Sequence, residues 1–322
     1  MSKNLRLLVS VALLGWLAWR SDWEQIASTF GALRLELWLA AVGLYGLTQL
    51  ISACRWQMLA QPLGFERSLH QYTAFYFIGM YFNLFLPTSV GGDVVRAWYL
   101  DGSSGRRLCA FLSVLVDRLS GLLVLLGLAC VAIIFCPVPL DTWIVASVLG
   151  TAGCAVLGLI SLPMAARWTQ PFGRLRRLVE GVRLYQSKPT LLALTTGLSL
   201  VVQAANVVLV WLVGRAIDAP VPASYYWIAV PMVTLLTMLP ISLNGMGIRE
   251  GGMILFLTPV GISHATSISL AFLWFSVFTA TSLIGAGIYL FGNFSRPEER
   301  PSYGSIGGNS DQGRAGEPAA AA

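Results

Sequence analysis

Charged side chains are scarce in this sequence: they make up 11% of its 322 residues, whereas soluble domains carry about 25%. Hydrophobic residues account for 56%, and the mean hydropathy is +0.70. These values exclude a soluble globular domain. The apolar residues form runs of about 20, the length that a helix needs to cross a hydrocarbon core of about 30 Å. Because they lack the alternation of an outer-membrane barrel, the sequence predicts an all-α polytopic membrane protein.

Metal ligands and nucleotide-binding loops are also missing. The two histidines, His70 and His264, lie far apart, and the five cysteines include no CxxC pair. No GxxxxGK[ST] loop occurs, and the polar stretches at 163–189 and after Gly292 are too short to bury a catalytic domain. We therefore predict a protein that is not an enzyme, with no catalytic residue, metal, cofactor or nucleic-acid partner.

Two kinds of apolar segment alternate along the chain. We predict six full spans, the first retained because no small-residue cleavage site follows it: Leu7–Trp19, Leu37–Leu59, Cys109–Phe135, Trp143–Leu162, Leu191–Val213 and Ala265–Leu290. Tyr72–Leu86 and Tyr225–Leu239 are shorter, about 22 Å of helix before a proline. Each is followed by a Gly-rich turn and a short amphipathic piece, Gly91–Leu100 or Gly245–Leu257. This pattern predicts two re-entrant helical hairpins.

The distribution of Lys and Arg favours this topology. If both hairpins enter and leave on one side, the basic loop 163–189 lies on the same side as the N-terminus. If the short segments were full crossings, that loop would lie outside, against the positive-inside rule. We therefore predict a bacterial-type inner-membrane protein with both termini cytoplasmic. Residues 1–292 would form one transmembrane domain, and the Gly-, Ser-, Pro- and Ala-rich tail 293–322 would be disordered.

An internal repeat joins the two broken segments. Leu86–Arg96 aligns with Leu239–Arg249 without a gap, and five of the eleven positions are identical. The identical pairs are Leu86 and Leu239, Pro87 and Pro240, Ser89 and Ser242, Gly92 and Gly245, and Arg96 and Arg249. In the predicted topology one unit begins inside and the other outside. We therefore predict inverted repeats over about 1–136 and 141–292.

Inverted repeats with interrupted helices are typical of transporters whose site lies near the membrane midplane. The proline ends the entering helix, glycines reverse the chain, and Ser89 or Ser242 can cap the returning half-helix. Its free N–H groups would then form an anion site, with Arg96 or Arg249 about two turns further along. The alternative is a pair of breaks in ordinary tilted helices whose arginines reach the interface.

Further charges lie deep within the apolar runs. Asp117 and Arg118 are about 15 Å inward from Arg107. When Ala110-Phe-Leu is aligned with Ala271-Phe-Leu, their counterparts are Phe278 and Thr279. Intramembrane charges mark functional sites by default, although a structural ion-pair network is an equal alternative. The remaining candidates are Asp93 and Glu250 as partners of the arginines, Arg55, and the amides Asn83, Asn206 and Asn244.

Three ordered motifs, Asn83–Arg96, Asp117–Leu123 and Pro240–Glu250, resemble the lysylphosphatidylglycerol synthase transmembrane family of flippase-like proteins. The resemblance covers nearly the whole chain except the tail. In the best-known members this region is similar to a lipid flippase fused to an aminoacyl transferase. These 322 residues contain no such transferase, so the resemblance implies lipid translocation and not lysyl-lipid synthesis. The matching motif positions are Arg55, Asn83, Pro87, Gly91, Gly92, Asp93, Arg96, Asp117, Arg118, Asn244, Gly245, Gly247, Arg249 and Glu250.

These observations together predict a translocase for an anionic phospholipid or a polyprenyl-phosphate-linked lipid. Its predicted substrate-binding residues are those motif positions and the two capping serines, Ser89 and Ser242, with Pro87 and Pro240 as structural breaks. One alternative is an embedded transferase that uses Asp93, Asp117 or Glu250 as a base. Another is a non-transporting scaffold of a lipid or glycan synthesis complex. The sequence carries no signal for an oligomeric state.

Overall fold

A computed structural model of the chain describes residues 15, 23–86, 91–102, 104–168, 185, 187–239, 242 and 244–292. Within those residues the chain is helical and contains no strand, so the prediction of an all-α fold is confirmed there. The helices are α1 (Trp23–Gly31), α2 (Leu35–Ala60), α3 (Leu69–Phe85), α4 (Gly91–Asp101), α5 (Arg107–Phe135), α6 (Thr142–Trp168), α7 (Pro189–Ala216), α8 (Tyr226–Met238), α9 (Ile248–Leu257) and α10 (His264–Phe291).

Four of these helices are long and apolar enough to cross a membrane: α2 with its 3₁₀ extension to Leu63, α5, α7 and α10. They correspond to four of the six predicted spans. A fifth predicted span falls in α6, whose apolar stretch Thr142–Gly158 is shorter. The first, Leu7–Trp19, lies outside the described residues apart from Gly15, as do most of the loop 163–189 and the tail 293–322.

The first pair of short helices begins and ends at one end of the bundle. Helices α3 and α4 pack against each other. Arg106, which precedes α5, donates through Nη2 to the carbonyl of Gly64, which precedes α3, at 2.9 Å. Tyr185 donates to the carbonyl of Leu59 at 2.6 Å, so the chain before α7 lies at this end too. The α3–α4 hairpin therefore returns to the end from which it started.

The second pair, α8 and α9, does the same at the other end. Tyr225, at the start of α8, donates its hydroxyl to the carbonyl of Phe256 in the last turn of α9 at 2.6 Å. This end also holds the start of α2, because the Arg34 amide donates to the carbonyl of Ala216 at 2.9 Å. Helix α2 is 26 residues long, so its two ends are about 39 Å apart. The two hairpins thus start from opposite ends of the bundle.

The packing contacts between helices are also matched between the first and second halves of the chain. When α1–α5 are matched in order with α6–α10, each helix pair that packs in the described part of the chain has a packing counterpart. Thus α3 packs on α10, as α8 packs on α5, and α2 and α7 pack on each other. At the α3–α10 contact, a Cβ on Gly285 would collide with the backbone carbonyl of Phe77. The missing side chain at Gly285 therefore permits the close approach of these two helices.

Local sequence signals explain most helix boundaries. Ser68 and Gln71 form a capping box at the start of α3, and Ser263 caps α10. Helix α1 was not predicted. The returning piece of the second hairpin was predicted from Gly245, but α9 begins at Ile248, because Gly245 and Gly247 adopt positive φ angles of 74° and 82°. Those two glycines form the turn instead of the first turn of the helix.

Candidate functional site

A cavity of about 330 Å³ lies where the two hairpins meet the long helices. Residues of α2, α3, α4, α5, α7, α8 and α10 line it, together with Asn244 and Arg249 of the second hairpin. Its lining residues on the spanning helices, such as Ser52, Asp117 and Gln203, lie many residues from either helix end. The cavity therefore lies at mid-depth of the bundle.

Asp117 is the centre of a buried ion-pair network on one wall of this cavity. Its Oδ1 accepts from Arg55 Nε at 2.9 Å, and its Oδ2 accepts from Arg96 Nη2 at 3.2 Å. Arg55 also donates through Nη1 to Ser199 Oγ at 2.7 Å. Arg55 is 4% exposed, so its side chain is buried within the bundle. The network connects α2, α4, α5 and α7.

Asp93 extends the network toward the cavity. Its Oδ1 lies 3.5 Å from Arg96 Nη1, and its Oδ2 pairs with Arg118 Nε. Arg118 is the most accessible member, with 29% of its side chain exposed. Each oxygen of the two aspartates, Asp93 and Asp117, therefore faces an arginine.

Two aromatic rings and a glycine fix the position of Arg96. Its guanidinium carbon lies 4.3 Å from the centre of the Trp56 ring and 4.0 Å from that of Tyr76. Both distances are within the range of cation–π attraction. A Cβ on Gly79 would approach the Arg96 Cδ to 2.9 Å, so α3 has room for this arginine only because residue 79 is a glycine. Arg96 is therefore packed between two rings and paired with two aspartates, and its buried Nε makes no hydrogen bond to the described residues.

An amide side chain closes the break of the first hairpin. Asn83 Oδ1 accepts from the backbone N–H of Gly92 at 2.7 Å and so satisfies a donor in the first turn of α4. A Cβ on Gly92 would collide with the Gly79 carbonyl and lie 2.7 Å from the Asn83 side chain. Gly91, the first residue of α4, precedes this contact and does not line the cavity. Pro87 and Ser89 lie outside the described residues.

The second hairpin differs from two expectations. Ser242, predicted as a helix cap, is 4% exposed, and its hydroxyl makes no hydrogen bond to the described part of the chain. Glu250, predicted as a partner of the arginines, instead accepts from the backbone N–H of Gly247 at 2.6 Å. An acid three residues into a helix is well placed to satisfy the N-cap amide, so Glu250 performs the capping role. Pro240 lies outside the described residues.

Arg249 has no carboxylate in ion-pair contact within the part of the chain that the structure describes. Among the described residues no acid lies within 4.0 Å of it, and its Nη2 donates only to the Asn244 carbonyl at 3.2 Å. Its guanidinium carbon lies 4.6 Å from the Phe275 ring centre and 5.9 Å from that of Trp274. Nη1 is shielded from the surface without a hydrogen bond to any residue described. Asn244 itself has a positive φ of 49°, which asparagine tolerates better than most residues.

Positive charge exceeds negative charge on the cavity wall. The described acids that line it are Asp93 and Asp117, and the basic residues are Arg55, Arg96, Arg118 and Arg249. If all are ionised, the wall carries a surplus of two positive charges, part of which is offset by Glu250, buried next to Arg249 outside the wall. An unpaired charge is costly in a medium of low dielectric constant, and an anionic group placed in the cavity would offset that cost.

The structure brings eight of the predicted site residues to the cavity and leaves others in the framework around it. The eight are Arg55, Asn83, Asp93, Arg96, Asp117, Arg118, Asn244 and Arg249. Gly91, Gly92, Ser242, Gly245, Gly247 and Glu250 belong to the hairpin breaks and do not line it. Asn206, an open candidate, is on the wall.

Sequence reasoning missed the aromatic and amide part of the wall. Tyr45, Tyr76, Trp274, Phe275 and Phe278 supply rings, and Gln49 and Gln203 supply amides. The amides carried a usable signal, because Gln203 and Asn206 lie three residues apart within an apolar span and hence on one helix face. Aromatic residues are common in membrane helices, so their positions in the sequence gave no signal that they line a cavity.

Comparison with known proteins gives one result. The family model described as lysylphosphatidylglycerol synthase TM region matches residues 4–285. No curated protein matches the chain. The match covers both hairpins and every residue of the cavity wall. The chain is therefore a multi-pass membrane protein that belongs to the lysylphosphatidylglycerol synthase transmembrane-region family.

Proposed function

We propose that this protein moves an anionic phospholipid or a polyprenyl-phosphate-linked lipid between the leaflets of the inner membrane. The observation that carries the proposal is the cavity at mid-depth with its surplus of positive charge. A lipid phosphate brings the missing negative charge, and the acyl or prenyl chains remain in the bilayer. Its family, which is tied to lipid metabolism by name, agrees with this substrate class.

The geometry of the hairpins supports a translocase. We propose that α3–α4 and α8–α9 are re-entrant hairpins that enter from opposite faces of the membrane. Tyr225 joins the two ends of the second hairpin, and Arg106 joins those of the first. The matched packing of α1–α5 and α6–α10 supports inverted repeats, which allow one half to rock against the other around a central site.

Charge bias supports a direction for the bundle. The end that holds Arg67, Arg106 and Arg107 is also the end nearest the basic loop 163–189, because Tyr185 contacts the last turn of α2 there. We propose that this end is cytoplasmic and that both chain termini lie on that side.

The ion pairs and hydrogen bonds that the acids already make favour transport over group transfer. Both oxygens of Asp93 and both of Asp117 face arginines, and Glu250 accepts from a backbone amide. A general base needs an oxygen directed at the proton it removes. We therefore propose that Asp93 and Asp117 hold the arginines in place, that Glu250 caps α9, and that the protein is not an enzyme.

The test is a leaflet-accessibility assay in proteoliposomes of phosphatidylcholine. Acyl-labelled fluorescent phosphatidylglycerol and a labelled polyprenyl phosphate report movement when a membrane-impermeant reductant bleaches the outer leaflet. In vesicles with wild-type protein, fluorescence from the inner-leaflet probe should be lost to the reductant faster than in protein-free vesicles. Arg249→Ala should lose this acceleration, whereas Arg34→Ala, at an exposed surface ion pair, should retain it. Failure of correctly folded wild-type protein to move either probe would refute the proposal.

A further inference from the structure

The two arginines of the internal repeat have unlike surroundings. Arg96 and Arg249 occupy the same position in the gapless match of the two hairpins. Arg96 is paired with Asp93 and Asp117 and packed between two rings. Arg249 lies against rings of α10 and has no acid within ion-pair distance among the described residues. Equivalent positions thus carry one arginine with two ion-pair partners and one arginine without an ion pair to the described residues, whose neighbouring acid is Glu250.

Two replacements account for this difference. On the hairpin, Asp93 corresponds to Met246 in the gapless match, and a second acid is replaced on α10. Asp117 lies on α5, and the corresponding position of α10 in the Ala110/Ala271 alignment is Phe278. Phe278 lines the same cavity, and its ring centre lies 6.1 Å from that of Phe275, the ring closest to Arg249. The second half therefore places a phenyl ring where the first half places the central carboxylate.

Without these carboxylates, Arg249 keeps a hydrogen-bond donor that an anion could satisfy. Arg249 Nη1 is shielded from the surface and makes no hydrogen bond to the residues described. A shielded donor on a charged group without an acceptor costs more than a neutral one, and an ionised acceptor relieves that cost. The guanidinium presents a planar pair of donors, a geometry that matches phosphate.

We infer that Arg249 binds the phosphate of the lipid headgroup and that Arg96 is a structural member of the wall. This inference rests on the proposed function and adds to it the residue that contacts the substrate. Phe278 is then one of the residues that keep Arg249 available, because an acid at position 278 would neutralise it internally.

The experiment restores one of the two carboxylates that the second half lacks, the one that corresponds to Asp117. Full-length Phe278→Asp, Phe278→Asn and Arg249→Gln are purified in a neutral detergent beside wild-type protein. The probe is dioctanoyl phosphatidylglycerol, and its half-saturating concentration is read from thermal stabilisation, since a ligand that binds only the folded state raises the melting temperature. Thr258→Asp adds the same charge at the exposed end of α9 and serves as the control.

Phe278→Asp and Arg249→Gln should raise the half-saturating concentration about tenfold or more, the loss expected for one charged hydrogen-bonded contact. Phe278→Asn, which loses the ring without adding a charge, should bind clearly better than Phe278→Asp. Thr258→Asp should bind as wild type. Equal binding by Phe278→Asp and wild type would overturn the inference. So would an equal response to inorganic phosphate at the same concentrations, because the ligand would then not be a lipid headgroup.

Stability without ligand separates binding from a structural role. Arg249→Gln should melt no lower than wild type, because it removes an uncompensated charge, whereas Arg96→Gln should melt lower. An equal fall in both variants would contradict the division of roles. Transport distinguishes the two proposals: if wild type transports phosphatidylglycerol and Phe278→Asp transports it equally well, the inference fails and the function stands. If Arg249-dependent binding is observed without transport, the function fails and the inference stands.

Discussion

Removal of the Asp117 carboxylate should destabilise the fold strongly. Asp117→Asn keeps the size of the side chain but leaves Arg55 and Arg96, 4% and 5% exposed, without their shared counter-ion. Loss of one partner from a buried pair costs about 3–5 kcal/mol. Arg96 keeps Asp93 and Arg55 keeps Ser199, so we expect the lower end, about 3 kcal/mol.

The loss in free energy of unfolding should depend on how many ion pairs each substitution breaks and on how deeply they are buried. Arg55→Met breaks one pair and leaves Asp117 neutralised by Arg96, so its cost should be smaller, about 2 kcal/mol. Asp218→Asn breaks a single pair with Arg34 whose side chains are 61% and 47% exposed, and should cost under about 1 kcal/mol.

The assay is reversible unfolding of the full chain in mixed micelles, followed by tryptophan fluorescence and by far-ultraviolet circular dichroism. The free energy of unfolding of each variant is compared with that of wild type under the same micelle composition. The reasoning is refuted if Asp117→Asn lies within about 1 kcal/mol of wild type, or if Arg55→Met is the more destabilising of the two.

Three further substitutions test the framework of the site. Gly92→Ala should lower both the melting temperature and the transport rate, because its Cβ meets the opposing helix backbone, whereas Gly251→Ala, with open space around it, should not. Asn83→Ala removes the acceptor at the first break and should cost about 1 kcal/mol in chemical unfolding. Gly285→Ala should lower the melting temperature by separating α3 from α10, whereas Gly287→Ala, which meets nothing within 4 Å, should leave it unchanged.

The sequence predicted the bounds of the short helices closely because their signals are local. Tyr72–Leu86 was predicted for the first entering helix and Leu69–Phe85 is observed, since the stop depends on a nearby proline and glycines. The partners of charged groups were less predictable. Arg55 meets Asp117 across 62 positions, a contact that only tertiary packing specifies. Similarly, the local sequence predicted Ser242 as the cap and Glu250 as a partner of the arginines, but the turn at Gly247 places Glu250 in the capping role.

The division of charge between the halves also predicts which headgroup the cavity accepts. Lysylation of phosphatidylglycerol adds two ammonium groups, and the acids that could receive them, Asp93 and Asp117, have all four oxygens engaged by arginines. The remaining charge on the wall is positive and includes Arg249, so a cationic headgroup would be repelled where an anionic one is attracted. Proteoliposomes should therefore move phosphatidylglycerol at least about tenfold faster than its lysyl ester, a ratio that corresponds to about 1.4 kcal/mol. Equal rates for the two lipids would mean that the arginines of the wall do not select the headgroup. If the arginines do select it, Phe278→Asp, which adds an acid to the wall, should lower the ratio of the two transport rates.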